Sequence, residues 1–154
     1  MSDQYKEQLE KIIVQVATPY STGSGFWWPR HNLIATCEHI VRGNAEVVID
    51  GDQIDRQSVK VVYTDPMLDI AFLVLPNKLS SEPLNWASAT SISGDGKPLQ
   101  IIGRTLGGEC EWVSGNLVDD AYEEHNIQYY LHDVDTPTTH SGGLIVGSDQ
   151  QVLG

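Results

Sequence analysis

The sequence predicts an all-β fold built from short antiparallel strands. Short runs of β-branched and aromatic residues recur at regular intervals, and clusters of Gly, Pro, Asn and Asp separate them. Strand-to-strand parallel crossovers would need helical segments between the runs, and the first half of the chain contains none. The 14 glycines and 7 prolines suit a fold with many tight turns. A chain of 154 residues makes one compact unit, or two small barrels sharing an interface, and buries roughly 70% of its unfolded surface.

Residues 4–11 are polar, with Tyr5, Leu9, Ile12 and Ile13 at helix-like spacing, so a short helix over residues 1–11 leads into a first strand at 12–16. Further strands are expected at 25–28, 32–36, 45–49, 58–63 and 70–75, with turns at 29–32, 42–44, 50–52 and 64–66. Together they form a first β unit over residues 12–80. Residues 81–97, within a stretch rich in Ser, Asn, Pro and Gly, read as a surface connection. A second β unit over 98–154 contains strands at 99–103, 110–118, 127–132, 143–147 and 151–153. Phe26, Trp27 and Trp28 alternate faces of one strand, which places one or two in the core and the remainder near the surface. Tyr129 and Tyr130 alternate in the same way, with core packing the default.

Composition excludes several functions. With 9 basic and 21 acidic residues the formal charge is −12, which repels nucleic-acid phosphates and anionic lipid heads. No apolar run approaches the roughly 18 residues that span a membrane, and the first residues lack the basic-then-apolar order of a secretory signal. Cys37 and Cys110 are too few for a disulfide framework and read as free thiols in a reducing compartment, so a cytoplasmic location is expected.

Three segments carry chemistry: Thr36-Cys37-Glu38-His39, then Asp65 through Asp69-Ile70-Ala71, then Thr139-His140-Ser141-Gly142-Gly143. Each sets one reactive side chain at the edge of an apolar run, and in order they supply a histidine, an aspartate and a serine. A serine hydroxyl is a poor nucleophile at neutral pH. A neighbouring imidazole can take its proton while a carboxylate stabilises the imidazolium that results. Of the two aspartates, Asp69 directly precedes a strand, whereas Asp65 precedes Pro66 and suits a turn. Gly142 and Gly143 allow a sharp turn after the serine. His31, Cys37 and His39 lie close in sequence, but a zinc site wants three or four convergent ligands and no second Cys or His pair stands at suitable spacing. No metal or organic cofactor is expected.

The set Gly23-Ser24-Gly25-Phe26, Leu33 to Val41, Asp65 to Ala71 and Ser141 to Val146 resembles the trypsin-like serine proteases, and within them the bacterial high-temperature-requirement (Deg) branch. The resemblance covers residues 12–154. It implies two antiparallel six-stranded barrels with the active site in the crevice between them. The second barrel is expected to be incomplete, because relatives continue beyond the equivalent of Gly154 into at least one more strand. Carried across, Ser141 is the nucleophile, His39 the general base and acid, and Asp69 the residue that orients His39. The backbone amides of Thr139 and Ser141 form the oxyanion hole.

Departures from the family pattern sit just before the serine. Thr139 replaces a glycine common in the family, and its β-branch restricts the dihedrals that aim its amide. His140 replaces an Asn or Asp and reads as a loop histidine bonded to backbone. Pro137 lies one residue farther from the serine than in the Deg branch. Asp135, six residues before Ser141, occupies the position of the primary specificity pocket, where an acid selects Arg or Lys; a solvated loop carboxylate is the plainer reading. The resemblance implies a serine endopeptidase acting on protein or peptide substrates, with room for a regulatory domain or partner chain beyond Gly154. The alternative is an inactive module of the same fold that binds peptides or proteins.

Overall fold

A computed structural model describes residues 2–28, 31–76, 96–148 and 151–154. Helix α1 (Asp3–Glu10) starts where the Ser2 hydroxyl accepts the Tyr5 amide, and its Leu9 is buried. Six strands follow: β1 (Ile13–Ala17), β2 (Thr22–Trp28), β3 (Leu33–Thr36), β4 (Glu46–Gly51), β5 (Gln57–Asp65) and β6 (Ile70–Val74). They close into an antiparallel barrel in the order β1-β2-β3-β6-β5-β4, with β4 returning to β1. Closure removes free edges, so every backbone polar group of a short strand finds a partner without a large core. The inner face carries Val14, Val16, Ile34, Ile49 and Leu73, all fully buried.

The second unit is an open antiparallel sheet of β7 (Pro98–Arg104), β8 (Cys110–Glu124), β9 (Ile127–His132) and β10 (Leu144–Gly147), ordered β10-β7-β8-β9. The expected strand at 151–153 is reduced to a single bridge between Val146 and Val152. The last residues nonetheless run beside β10, where the Ile145 amide donates to the Gly154 carbonyl at 2.6 Å and the Leu153 amide to the Ile145 carbonyl at 2.8 Å. Of the expected connection over 81–97, all but residues 96 and 97 lie outside the described residues.

Two elements depart from the sequence reading. A one-turn helix, α2 (Glu38–Val41), follows β3, too short to leave a periodic signature. Strand β8 extends six residues past the expected end at 118, through Asp119, Asp120, Glu123 and Glu124, where polar residues hide the strand from a hydrophobic pattern. Its hairpin to β9 turns at His125 and Asn126, both at positive φ (53° and 63°), the geometry that matches the twist of paired strands. Trp27 is the core member of the aromatic run, its indole N–H donating to Asn32 Oδ1 at 2.9 Å, while Phe26 and Trp28 are half-buried. Tyr130 packs against the core of the second sheet and Tyr129 is exposed.

Arg104, buried at the end of β7, ties the two units together. Its Nε donates to Ile13 O (3.0 Å), Nη2 to Glu10 O (3.0 Å), and Nη1 to Gly108 O (3.0 Å) and Asp52 Oδ1 (3.1 Å). A buried guanidinium is tolerated only when its donors are met in this way.

On β9, burial holds the His132 imidazole below the ordinary histidine range against the opposing pull of Asp133, and His132 Nδ1 accepts the Val134 amide at 3.1 Å. The folded state therefore prefers neutral His132. As pH falls, the unfolded chain takes up the proton first, so stability present above the ordinary histidine range is lost as pH drops through the folded value. Urea midpoints are expected to fall between about pH 8 and about pH 5, and His132→Asn is expected to remove part of that fall. An unchanged slope in the variant would show that the lone pair on His132 contributes nothing.

Candidate active site

The pairing of β3 with β6 sets Thr36 opposite Ala71. It thereby lays the segment just after β3 over the residue just before β6. These are His39, in the first turn of α2, and Asp69, whose φ of +56° is a left-handed conformation that aspartate tolerates. Asp69 grips His39 at two points: Oδ1 accepts the His39 backbone amide at 2.8 Å and Oδ2 lies 2.6 Å from Nδ1. A carboxylate only accepts, so Nδ1 carries a proton, and in the neutral imidazole Nε2 keeps its lone pair. Both side chains are a little under half exposed, which leaves the imidazole open to solvent.

Asp65 occupies the preceding turn, its Oδ1 accepting the amides of Met67 (3.0 Å) and Leu68 (3.1 Å), as a turn-forming aspartate does. Buried Glu38, beside His39, is engaged by the Arg42 guanidinium through Nε at 3.0 Å. That hydrogen bond holds its carboxyl below the ordinary glutamate range, against the opposing pull of desolvation.

The serine-bearing loop packs against the first barrel. Residues Thr138–His140 form a single 3-10 turn and Ser141 leaves it. The Ser141 carbonyl accepts the Ser24 amide of β2 at 2.8 Å. Gly142 follows at φ +92°, and a Cβ there would collide with the Ser24 carbonyl oxygen and reach 2.8 Å from Thr36 Oγ1, so only glycine fits. Ser141 is thus docked beside the segment that carries His39. Among the described residues no hydrogen bond joins the Ser141 hydroxyl to the imidazole.

His140 is buried, and its Nε2 meets the Glu111 carbonyl at 3.1 Å, so it is the backbone-bonded loop histidine expected from the sequence. It lies so close to Gly103 that a Cβ there would stand 2.8 Å from the ring. The Ser141 amide donates to Thr138 O at 3.2 Å within the 3-10 turn. In this conformation that amide is directed into the turn. Thr139 is half-buried and Asp135 is exposed.

The sequence pattern of the trypsin-like peptidase domain matches residues 23–154, most of the chain. The chain belongs to the trypsin-like peptidase family. Over 143 residues it is 29% identical to the mitochondrial serine protease HTRA2 of Bos taurus, covering 88% of this chain and 31% of that protein. It thus spans about a third of that relative's length. Among solved structures, the active form of the Rv3671c protease of M. tuberculosis superposes with a TM-score of 0.80 at 22% identity, covering 97% of this chain and 71% of that one. The HtrA-type protease AlgW, solved with a tripeptide, gives 0.84 at 16% identity over 97% and 52% of the two chains. At such identities the superpositions speak to the fold, which is that of the HtrA and Deg proteases, the branch the sequence resembles. Among the described residues no helix is long and apolar enough to cross a membrane.

Of the ligand types considered from sequence, Cys37 and His39 do converge, with Asp69 as a third member, their ligand atoms lying within 4.8 Å of one another. His31 instead stacks edge-on to Trp28 at 4.9 Å. Within the peptidase site the 2.6 Å bond already uses His39 Nδ1 and one Asp69 oxygen, and burial pushes the Cys37 thiol up to about 12. Both features disfavour metal ligation by this trio. Both cysteines are free, as expected. Sequence reasoning did not single out Ser24, Thr36 or Arg104. Ser24 lies in a quoted motif, but the partners of its hydroxyl stand 80 and 115 residues away and are backbone atoms, which leave no trace in residue type.

Proposed function

We propose that this peptidase domain is a serine endopeptidase that cleaves peptide bonds through an acyl-enzyme on Ser141. The observation that carries the reading is the two-point grip of Asp69 on His39, because it presents Nε2 as the free base. Ser141 Oγ attacks the substrate carbonyl carbon as its proton passes to Nε2. The tetrahedral intermediate then collapses, the C–N bond breaks, and His39 returns the proton to the leaving amine. Water, deprotonated by the same imidazole, releases the acid and restores Ser141.

The amides of Thr139 and Ser141 supply the oxyanion donors. For the Ser141 amide to do so, the Thr138 carbonyl must first turn out of the way, so the conformation described here is a resting one. Peptide substrates accord with the tripeptide in AlgW. For Asp135, exposure favours a solvated carboxylate over the floor of a closed specificity pocket. The free thiols Cys37 and Cys110 accord with a reducing compartment.

A second reading, an inactive module that binds peptides, draws on the same Ser141–Thr138 bond together with the threonine at 139. Covalent capture of Ser141 by a fluorophosphonate separates the two: the enzyme takes up one adduct and the module none.

A further inference from the structure

We propose that Ser24 is a positioning residue for the nucleophile loop, an inference that rests on the peptidase reading above. Ser24 is fully buried on β2 and makes four hydrogen bonds to three separate parts of the chain. Its hydroxyl donates to Thr139 O at 2.7 Å and accepts the Arg104 amide at 2.8 Å. Its own amide donates to Ser141 O at 2.8 Å, and its carbonyl accepts Thr36 Oγ1 at 2.7 Å. One residue of the first barrel therefore fixes two carbonyls of the serine loop, the end of β7, and the strand end three residues before His39.

The consequence lies in which peptide units remain free to turn. Holding Thr139 O fixes the peptide between Thr139 and His140, and holding Ser141 O fixes the one between Ser141 and Gly142. Gly142, wedged against the Ser24 carbonyl, closes the far side. The 3-10 turn that now occupies the Ser141 amide is closed by Thr138 O, whose peptide unit with Thr139 is not held by Ser24. Ser24 is thus the fulcrum. It confines the opening of the oxyanion site to rotation of the Thr138–Thr139 peptide and keeps the nucleophile still while that peptide turns. Because Ser24 is fully buried, no solvent molecule readily replaces its hydroxyl when it is removed.

Ser24→Ala tests this while keeping the backbone amide and carbonyl. The variant is expected to acylate with a fluorophosphonate about tenfold to a hundredfold more slowly, and to lose kcat on a peptide substrate by a similar factor with KM within about twofold. The amides of His140, Ser141 and Gly143 are expected to exchange hydrogen faster, while those of β3 and β6 keep their protection. The far-downfield proton resonance of the His39–Asp69 bond is expected to remain. Should Ser24→Ala fail to fold, Ser24→Cys fills the space with a weaker hydrogen-bonding group and is expected to show the same loop-specific loss in smaller degree.

Wild-type acylation rates and unchanged loop exchange in the folded variant would overturn the proposal, as would a change spread evenly over the barrel. If the wild type itself takes no label, the peptidase reading fails. Exchange at the loop then still decides whether Ser24 holds it: loop-specific loss of protection supports that role, and its absence overturns it.

Discussion

Asp69→Asn is expected to lower kcat about ten-thousandfold while shifting unfolding free energy by about 1 kcal/mol or less. The carboxylate accepts two hydrogen bonds, from the His39 backbone amide at 2.8 Å and from Nδ1 at 2.6 Å. Asparagine offers one acceptor and one donor. Keeping its oxygen on the backbone amide turns its NH2 toward Nδ1, which must then present a lone pair. The imidazole proton moves to Nε2, the atom that has to receive the proton of Ser141, and the base is lost without displacing a heavy atom. The left-handed backbone at this position, φ +56°, suits asparagine as well as aspartate, so the fold is spared. Stopped-flow or steady-state hydrolysis of a peptide ester, read beside a urea melt, checks both halves. Equal kcat in variant and wild type would show that the Asp69–His39 bond is structural only.

Gly142→Ala is expected to act on both stability and activity. The backbone there is left-handed at φ +92°, and the added Cβ meets the Ser24 carbonyl oxygen, with Thr36 Oγ1 and Ser24 C behind it at 2.8 and 2.9 Å. No side chain can rotate to relieve a clash with a backbone carbonyl. The loop must leave its seat, breaking the Ser141–Ser24 bond, or β2 must shift within a closed barrel. Either route costs about 3 kcal/mol or more and carries Ser141 away from the first barrel. A denaturant midpoint lowered at unchanged slope, with hydrolysis at background, is the expected result. A variant as stable as the wild type would mean that the loop has another seat.

The parts of this site that were legible in the sequence are those where chemistry restricts residue type. His39, Asp69 and Ser141 each stand beside an apolar run. Asp69 could be preferred to Asp65 because a strand starts at Ile70, and the structure gives Asp65 the turn and Asp69 the imidazole. Gly142 was legible for a related reason, since a positive φ beside a crowded backbone admits little else.

Where the partner is a backbone atom, residue type constrains little. Ser24 could be any small polar residue by pattern, and Arg104 looks like an ordinary strand-end cation until Ile13, Glu10 and Gly108 surround it with carbonyls. The outer half of β8 was hidden for a different reason. A hairpin arm that buries little has no apolar alternation to reveal it, and its acidic residues read as loop. The 3-10 turn at Thr138–His140 is a local backbone choice that residue type alone does not determine, and it engages the Ser141 amide with the Thr138 carbonyl.

Covalent capture tests most directly whether His39 makes Ser141 a nucleophile. Incubation with a fluorophosphonate followed by intact-mass and peptide mapping is predicted to give a single adduct on Ser141, lost in Ser141→Ala and slowed at least about a thousandfold in His39→Ala. A folded wild-type protein that takes no adduct, or one labelled equally fast without the imidazole, would contradict it.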